Sequence, residues 1–111
     1  MPTAEVLTPR TFADLMFTAA ERSGFETKVN RNGERQIDFP NKSLTEMHLR
    51  LLFQDISLKG YVYSRTDADT LLRGSRPCAI APFFDLSVKA GLAREYEESG
   101  KKIFRFYSAR M

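Results

Sequence analysis

Apolar positions along the chain recur with helical spacing in some stretches and alternate in others. Phe12, Leu15, Met16 and Ala19 repeat at intervals of three and four, which predicts a helix over residues 11–23 with Thr11 as N-cap, Asp14 in the first turn and Gly24 as the stop. Residues 1–9 contain Pro2 and Pro9 and no period, so they read as a loose or docked arm. Residues 25–39 switch to alternation around Asn32-Gly33, and the register of that hairpin follows from its side chains. A two-residue loop would put Phe25 and Val29 on one face and Ile37 and Phe39 on the other. A three-residue loop, Arg31-Asn32-Gly33 with Gly33 left-handed, pairs Phe25 with Phe39, Thr27 with Ile37 and Val29 with Arg35, which gathers one apolar face. Glu26, Lys28, Asn30, Gln36 and Asp38 then face solvent.

After Pro40, Ser43-Leu44-Thr45-Glu46 reads as a capping box that opens a second helix. At 100° per residue, Leu49, Leu52, Phe53 and Ile56 form one stripe, and Leu44, Met47, Leu51 and Leu58 a second. A helix with two separate stripes is expected to be covered on two sides. Lys59-Gly60 closes it, and Tyr61-Val62-Tyr63 is a short β-favouring run suited to pair with a later hairpin. Thr66 with Asp69 predicts the cap of a brief helix through Leu72, stopped by Gly74. Ser75-Arg76-Pro77 resembles another helix start, but Pro82 would cost an unbroken helix over residues 77–90 about 3 kcal/mol. Either that helix kinks at Pro82 or its main part begins there. Residues 92–107 read as two strands around a Ser-Gly turn. A three-residue loop at residues 98–100 places Leu92, Tyr96, Phe104 and Phe106 together; the residue types also accommodate the alternative register.

The chain of 111 residues, 42 % hydrophobic and 28 % charged, fits a single domain able to bury one core without metal or disulfide support. One cysteine forms no internal disulfide, and no basic segment followed by an apolar run opens the chain, so a cytoplasmic protein is expected. No apolar run approaches the roughly 18 residues of a membrane span. The net charge of +3 permits a polyanionic partner without requiring one.

Residues 43–108 thus run helix, short strand, helix, helix, hairpin. Within them Phe83-Phe84-Asp85-Leu86-Ser87-Val88-Lys89-Ala90-Gly91-Leu92-Ala93-Arg94-Glu95, followed by a Gly-containing hairpin rich in Lys and aromatics, resembles the recognition helix and wing of winged helix-turn-helix regulators. The resemblance covers roughly 60 % of the chain and identifies an architecture rather than a particular family. It implies an α+β winged-helix-like domain, residues 43–108, with an added N-terminal helix and hairpin in residues 1–40. It also implies that the third helix of that core enters the major groove while the wing touches phosphate or the minor groove. Carried onto this sequence, the DNA-contacting residues are Arg73, Arg76, Ser87, Lys89, Lys101 and Lys102. Two features oppose that role. The third helix is dominated by Ile80, Phe83, Phe84, Leu86 and Val88, and the wing carries Glu95, Glu97 and Glu98.

Catalytic chemistry is not indicated. His48 is the only histidine and, with Asp55, makes no metal site; a polar helix position between the two stripes explains it. Cys78 lacks a second cysteine or a neighbouring histidine and reads as a small packed side chain. The six glycines stand singly at turns and helix ends, without a phosphate-cradling motif. Glu97-Glu98 beside Lys101-Lys102 suits cross-strand pairing. Lys28, Arg31 and Arg35, next to Arg22, form a separate basic patch whose side of the molecule the sequence leaves open.

The expectation is a non-enzymatic, cofactor-free regulator that binds double-stranded DNA as a homodimer, with the N-terminal helix and hairpin as the natural dimer surface. A protein-binding adapter or inhibitor on the same scaffold is the alternative.

Overall fold

The computed structural model describes residues 5–74 and 79–110. The N-terminal arm is docked: strand β1, Glu5–Val6, pairs antiparallel with β8, Ala109–Arg110. Leu7 follows it into the core, its N–H bonded to the Ser108 carbonyl at 3.0 Å.

Helix α1 spans Pro9–Arg22 and begins earlier than its apolar period predicts. Thr8, not Thr11, is the N-cap: its Oγ1 accepts the Thr11 N–H at 3.1 Å, and Thr11 Oγ1 accepts the Thr8 N–H at 2.7 Å. Pro9 takes the first helical position, where its missing N–H would have had no partner, so a residue that the missing period assigns to the arm starts the helix.

The first hairpin has the register that its side chains require. Strands β2, Glu26–Val29, and β3, Arg35–Phe39, pair Thr27 with Ile37 and Val29 with Arg35. Asn30 closes on Glu34 at 2.8 Å, leaving Arg31-Asn32-Gly33 as the loop with Gly33 at φ +78°. The Phe25 and Phe39 rings meet edge-on at 4.7 Å.

A third strand, β4, Lys42–Thr45, was not expected. A two-residue turn at Pro40-Asn41, with Asn41 at φ +63°, folds it back so that Leu44 sits opposite Ile37, both fully buried. Ser43 therefore belongs to a strand and caps nothing. Helix α2, Glu46–Leu58, is capped instead by Thr45, whose Oγ1 accepts the His48 N–H while His48 Nδ1 accepts the Thr45 N–H, both at 3.2 Å.

Leu49, Leu52, Phe53 and Ile56 of α2 are buried, and α1 packs on them with Phe12 stacked on Phe53 at 4.6 Å. Of the second stripe, Leu44 belongs to β4 and is fully buried, whereas Met47, Leu51 and Leu58 are uncovered, at 55 %, 40 % and 78 % exposed. Helix α2 is thus covered on one side within this chain, contrary to expectation. The apolar face of α1 is spent inside the chain as well, since Phe12, Ala13, Met16, Phe17 and Ala20 are buried. That helix therefore offers little to a second copy.

Strand β5, Val62–Tyr63, adds to the second sheet beside the later hairpin, as expected. Tyr63 is buried, and its hydroxyl donates to Asp55 Oδ2 at 2.6 Å. Burial and this carboxylate push the phenol far above its ordinary pKa. Helix α3, Arg65–Leu71, is capped reciprocally by Ser64 and Asp67 rather than by Thr66 and Asp69. Helix α4, Ile80–Lys89, contains Pro82 in its first turn, where no intrahelical bond is lost, so the helix neither kinks there nor starts there.

Strands β6, Ala93–Glu98, and β7, Lys101–Phe106, meet through a two-residue turn with Ser99 at φ +52° and Gly100 at φ +77°. This overturns the three-residue loop. Leu92 is anchored separately, its N–H on the Ser87 carbonyl at 2.9 Å, so it need not share a face with Phe104. The ladder is then free to set Ala93 opposite Phe106 on the buried side, with Glu97 opposite Lys102 and Glu98 opposite Lys101. The second sheet runs in the order β5-β7-β6, and the first β2-β3-β4. The result is an α+β fold whose core is continuous from Leu7 to Phe106.

The α2 cap yields a pH prediction. His48 Nδ1 accepts a hydrogen bond only when the ring is neutral, and burial lowers its pKa in opposition to Glu34. The folded state therefore binds protons less readily than the unfolded chain, so stability falls as pH drops through about 6.5. The melting temperature of the wild type should decline between about pH 7.5 and 5.5, whereas His48→Gln, which can still complete a capping box, should flatten that decline. Equal slopes for the two proteins would show that another group carries the dependence.

Candidate nucleic-acid interface

Helix α4 packs Phe83, Phe84, Leu86 and Ser87 inward, and Asp85, Val88 and Lys89 remain exposed with Ala81 and Pro82 half-buried beside them. The stacked rings of Phe84 and Phe104, 4.3 Å apart, and of Phe83 and Phe106, 6.0 Å apart, fix which face that is. Ser87 lies wholly inside: its Oγ donates to the Phe83 carbonyl at 2.8 Å and lies 3.7 Å from Met16 Sδ. It cannot reach a surface partner, which removes it from the sequence-predicted contacts. Arg76 falls outside the described residues. Arg73 is exposed just beyond the end of α3, and Lys101 and Lys102 are exposed near the tip of the β6–β7 hairpin. Lys89 is thus the one predicted contact on the outer face of α4 itself.

The surroundings of α4 are more basic than its own face. At its N-terminal end a cleft is lined by Lys42, Arg65, Thr66, Asp69, Ile80 and Ala81. At its C-terminal end Lys89 and Arg22 share a groove with Leu15, Thr18 and Ala19 of α1. Between the first sheet and α4, a third groove holds Phe25, Phe39, Pro40, Pro82, Asp85 and Lys89. Arg22, Lys42, Arg65 and Lys89 have no carboxylate partner within ion-pair distance among the described residues. Arg22 and Lys89 occupy the last turns of their helices, where the dipole favours a cation, so they persist without a carboxylate.

Several cations elsewhere are neutralised. Arg35 donates to Asp14 and, at 2.8 Å, to Glu46, and its guanidinium lies 4.4 Å over the Phe17 ring. Its hydrogen bond to Glu46 holds that carboxyl below the usual range. Arg50 adds to the same Glu46, Lys28 pairs with Asp38, and Lys59 pairs with Asp55. Of the basic patch in the first hairpin, Lys28 and Arg35 are therefore satisfied internally, and Arg22 is the member that joins α4. On the β6–β7 hairpin, Lys102 pairs with Glu95 at 3.3 Å.

Arg65 and Lys42 escaped the sequence reading. Arg65 follows the Ser64 cap directly and so projects from the start of α3, a signal hidden by placing the cap at Thr66. Lys42 was hidden because β4 was not recognised.

Comparison with protein-family models, curated proteins and solved structures gives no match. Among the described residues no three His, Cys, Asp or Glu side chains come together as metal ligands, and no helix is long and apolar enough to cross a membrane.

The placement of Ser87 is directly checkable. Ser87→Ala removes one helical side-chain bond and should cost about 1 kcal/mol, a shift of a few degrees in melting temperature. Ser87→Arg should prevent cooperative unfolding altogether, because the charge has no buried partner. A folded, stable Ser87→Arg protein would place this residue at the surface.

Proposed function

We propose that the protein is a non-enzymatic, double-stranded-DNA-binding regulator of transcription or of DNA replication and maintenance, built on a winged-helix scaffold. The observation that carries this reading is the set of unpaired cations, Arg22, Lys42, Arg65 and Lys89, placed around the exposed face of α4 while the cations elsewhere on α2 and the first sheet are paired with carboxylates. The element order α2-β5-α3-α4-β6-β7, with β5 added beside β7, supports the scaffold. Cations without carboxylate partners are the ones able to release counterions from phosphate at no cost in broken ion pairs. The face of α4 offers Lys89 against Asp85 and little to read base edges, so phosphate contact dominates over base contact.

A protein-binding adapter is the second reading, favoured by the exposed stripe Met47, Leu51 and Leu58.

Fluorescence anisotropy with random-sequence duplex DNA at about 50 and 200 mM salt tests the first reading. Binding should weaken steeply between the two salts, and Arg65→Ala and Lys89→Ala should each lower the slope of log K against log salt by about one. Arg50→Ala, a cation already paired with Glu46, should leave it unchanged. Absence of binding at the lower salt would refute the DNA reading.

A further inference from the structure

We propose that two copies of this chain associate through the outward face of α2, with the two helices parallel about a two-fold axis. Met47, Leu51, Gln54 and Leu58 follow one another at intervals of four, three and four, the seam spacing of a coiled coil. The seam lies opposite the buried stripe of Leu49, Leu52, Phe53 and Ile56, and its three apolar members are among the most exposed large hydrophobic residues described. Each would lose water-exposed apolar area on contact with a matching surface.

The flanking charges select a second copy as the occupant. Arg50 borders the seam on one side and Asp55 on the other, five residues later. When two such helices run parallel about a two-fold axis, opposite flanks meet with a five-residue offset, so Arg50 of each copy approaches Asp55 of the other. Symmetry makes that pair twice. An antiparallel arrangement overlapping the whole seam brings like flanks together, with Arg50 near Ser57 and Asp55 near His48, and forms no pair of opposite charges. Arg50 and Asp55 now hold their own helical neighbours, Glu46 and Lys59, each at 2.9 Å, and Asp55 also accepts the Tyr63 hydroxyl at 2.6 Å, so the pair across the axis would add a further partner to each charge. The α2 helix of 13 residues is about 20 Å long. An interface centred on it falls at the small end of the size scale, and the association should be reversible.

Sedimentation velocity without nucleic acid, from about 5 to about 500 µM, covers the range where so small an interface should dissociate. The expected result is a monomer–dimer equilibrium that Leu51→Glu and Leu58→Glu each abolish while circular dichroism and melting temperature stay unchanged. In a Cys78→Ser background, Met47→Cys should form a disulfide between identical chains on mild oxidation. A wild type that stays monomeric throughout, or a dimer indifferent to Leu58→Glu, would overturn the proposal. Crosslinking only when Met47→Cys is mixed with Leu58→Cys would overturn the parallel register. Because DNA is absent, these outcomes are independent of the DNA-binding reading.

Discussion

The stacking of Phe12 on Phe53 is the contact on which the arrangement of the molecule turns. It ties α1 to α2, and through the neighbouring rings of Phe83 and Phe106 it reaches α4 and the second sheet. Phe12 is fully buried among them. An N-terminal helix that looks like an appendage in the sequence is therefore a wall of the common core. Truncating any of these rings would leave a cavity lined by the others, at a cost of about 3–5 kcal/mol, comparable with the whole stability of a small domain. One consequence is that the inner stripe of α2 is satisfied by α1. The outer stripe is then left with nothing from this chain to cover it.

What was legible in the sequence depended on how far apart the deciding residues lie. The first hairpin could be placed in register because a single choice put Phe25, Ile37 and Phe39 on one face, and the loop glycine agreed with it. The segment Ser43-Leu44-Thr45-Glu46 was misread because the same residues satisfy a capping box and an edge strand. Only pairing with β3, which buries Leu44 against Ile37, decides between them. The register of the β6–β7 hairpin failed for a related reason, since Leu92 lies just before β6 with its N–H on the Ser87 carbonyl of α4, a contact no strand pattern shows. Caps at Thr8 and Ser64 were displaced by two or three residues, because apolar periodicity marks where a helix packs and not where its backbone donors end.

The charge pattern was the least legible feature. Arg35 and Asp14 are 21 residues apart, and Arg35 and Glu46 are 11 apart. No local rule joins them, so the sequence shows a basic hairpin where the fold shows a largely neutralised one. Pairing Lys28, Arg35, Arg50 and Lys59 internally neutralises the first sheet and α2 in part, while Arg22, Lys42, Arg65 and Lys89 around α4 keep no carboxylate partner among the described residues. The pairs on the other side are half-exposed and contribute little to stability, less than about 1 kcal/mol each, so their larger effect is on where the unbalanced charge lies.

Helix α4 differs from its neighbours at its start. Helices α1, α2 and α3 each begin with a reciprocal side-chain cap, whereas α4 begins at Ala79, which has no side-chain oxygen, and carries Pro82 in its first turn. Among the described residues no side chain caps α4, whose first residues, Ile80 and Ala81, line a cleft with Lys42, Arg65 and Asp69. A helix N-terminus carries about half a positive charge, and here it lies beside two cations and the carboxylate of Asp69. In α1, α2 and α3 those side-chain caps satisfy backbone donors of the first turn. In α4 the side chains secure the inner face with four buried residues, Phe83, Phe84, Leu86 and Ser87, and the N-cap Ala79 contributes no side-chain bond to the start.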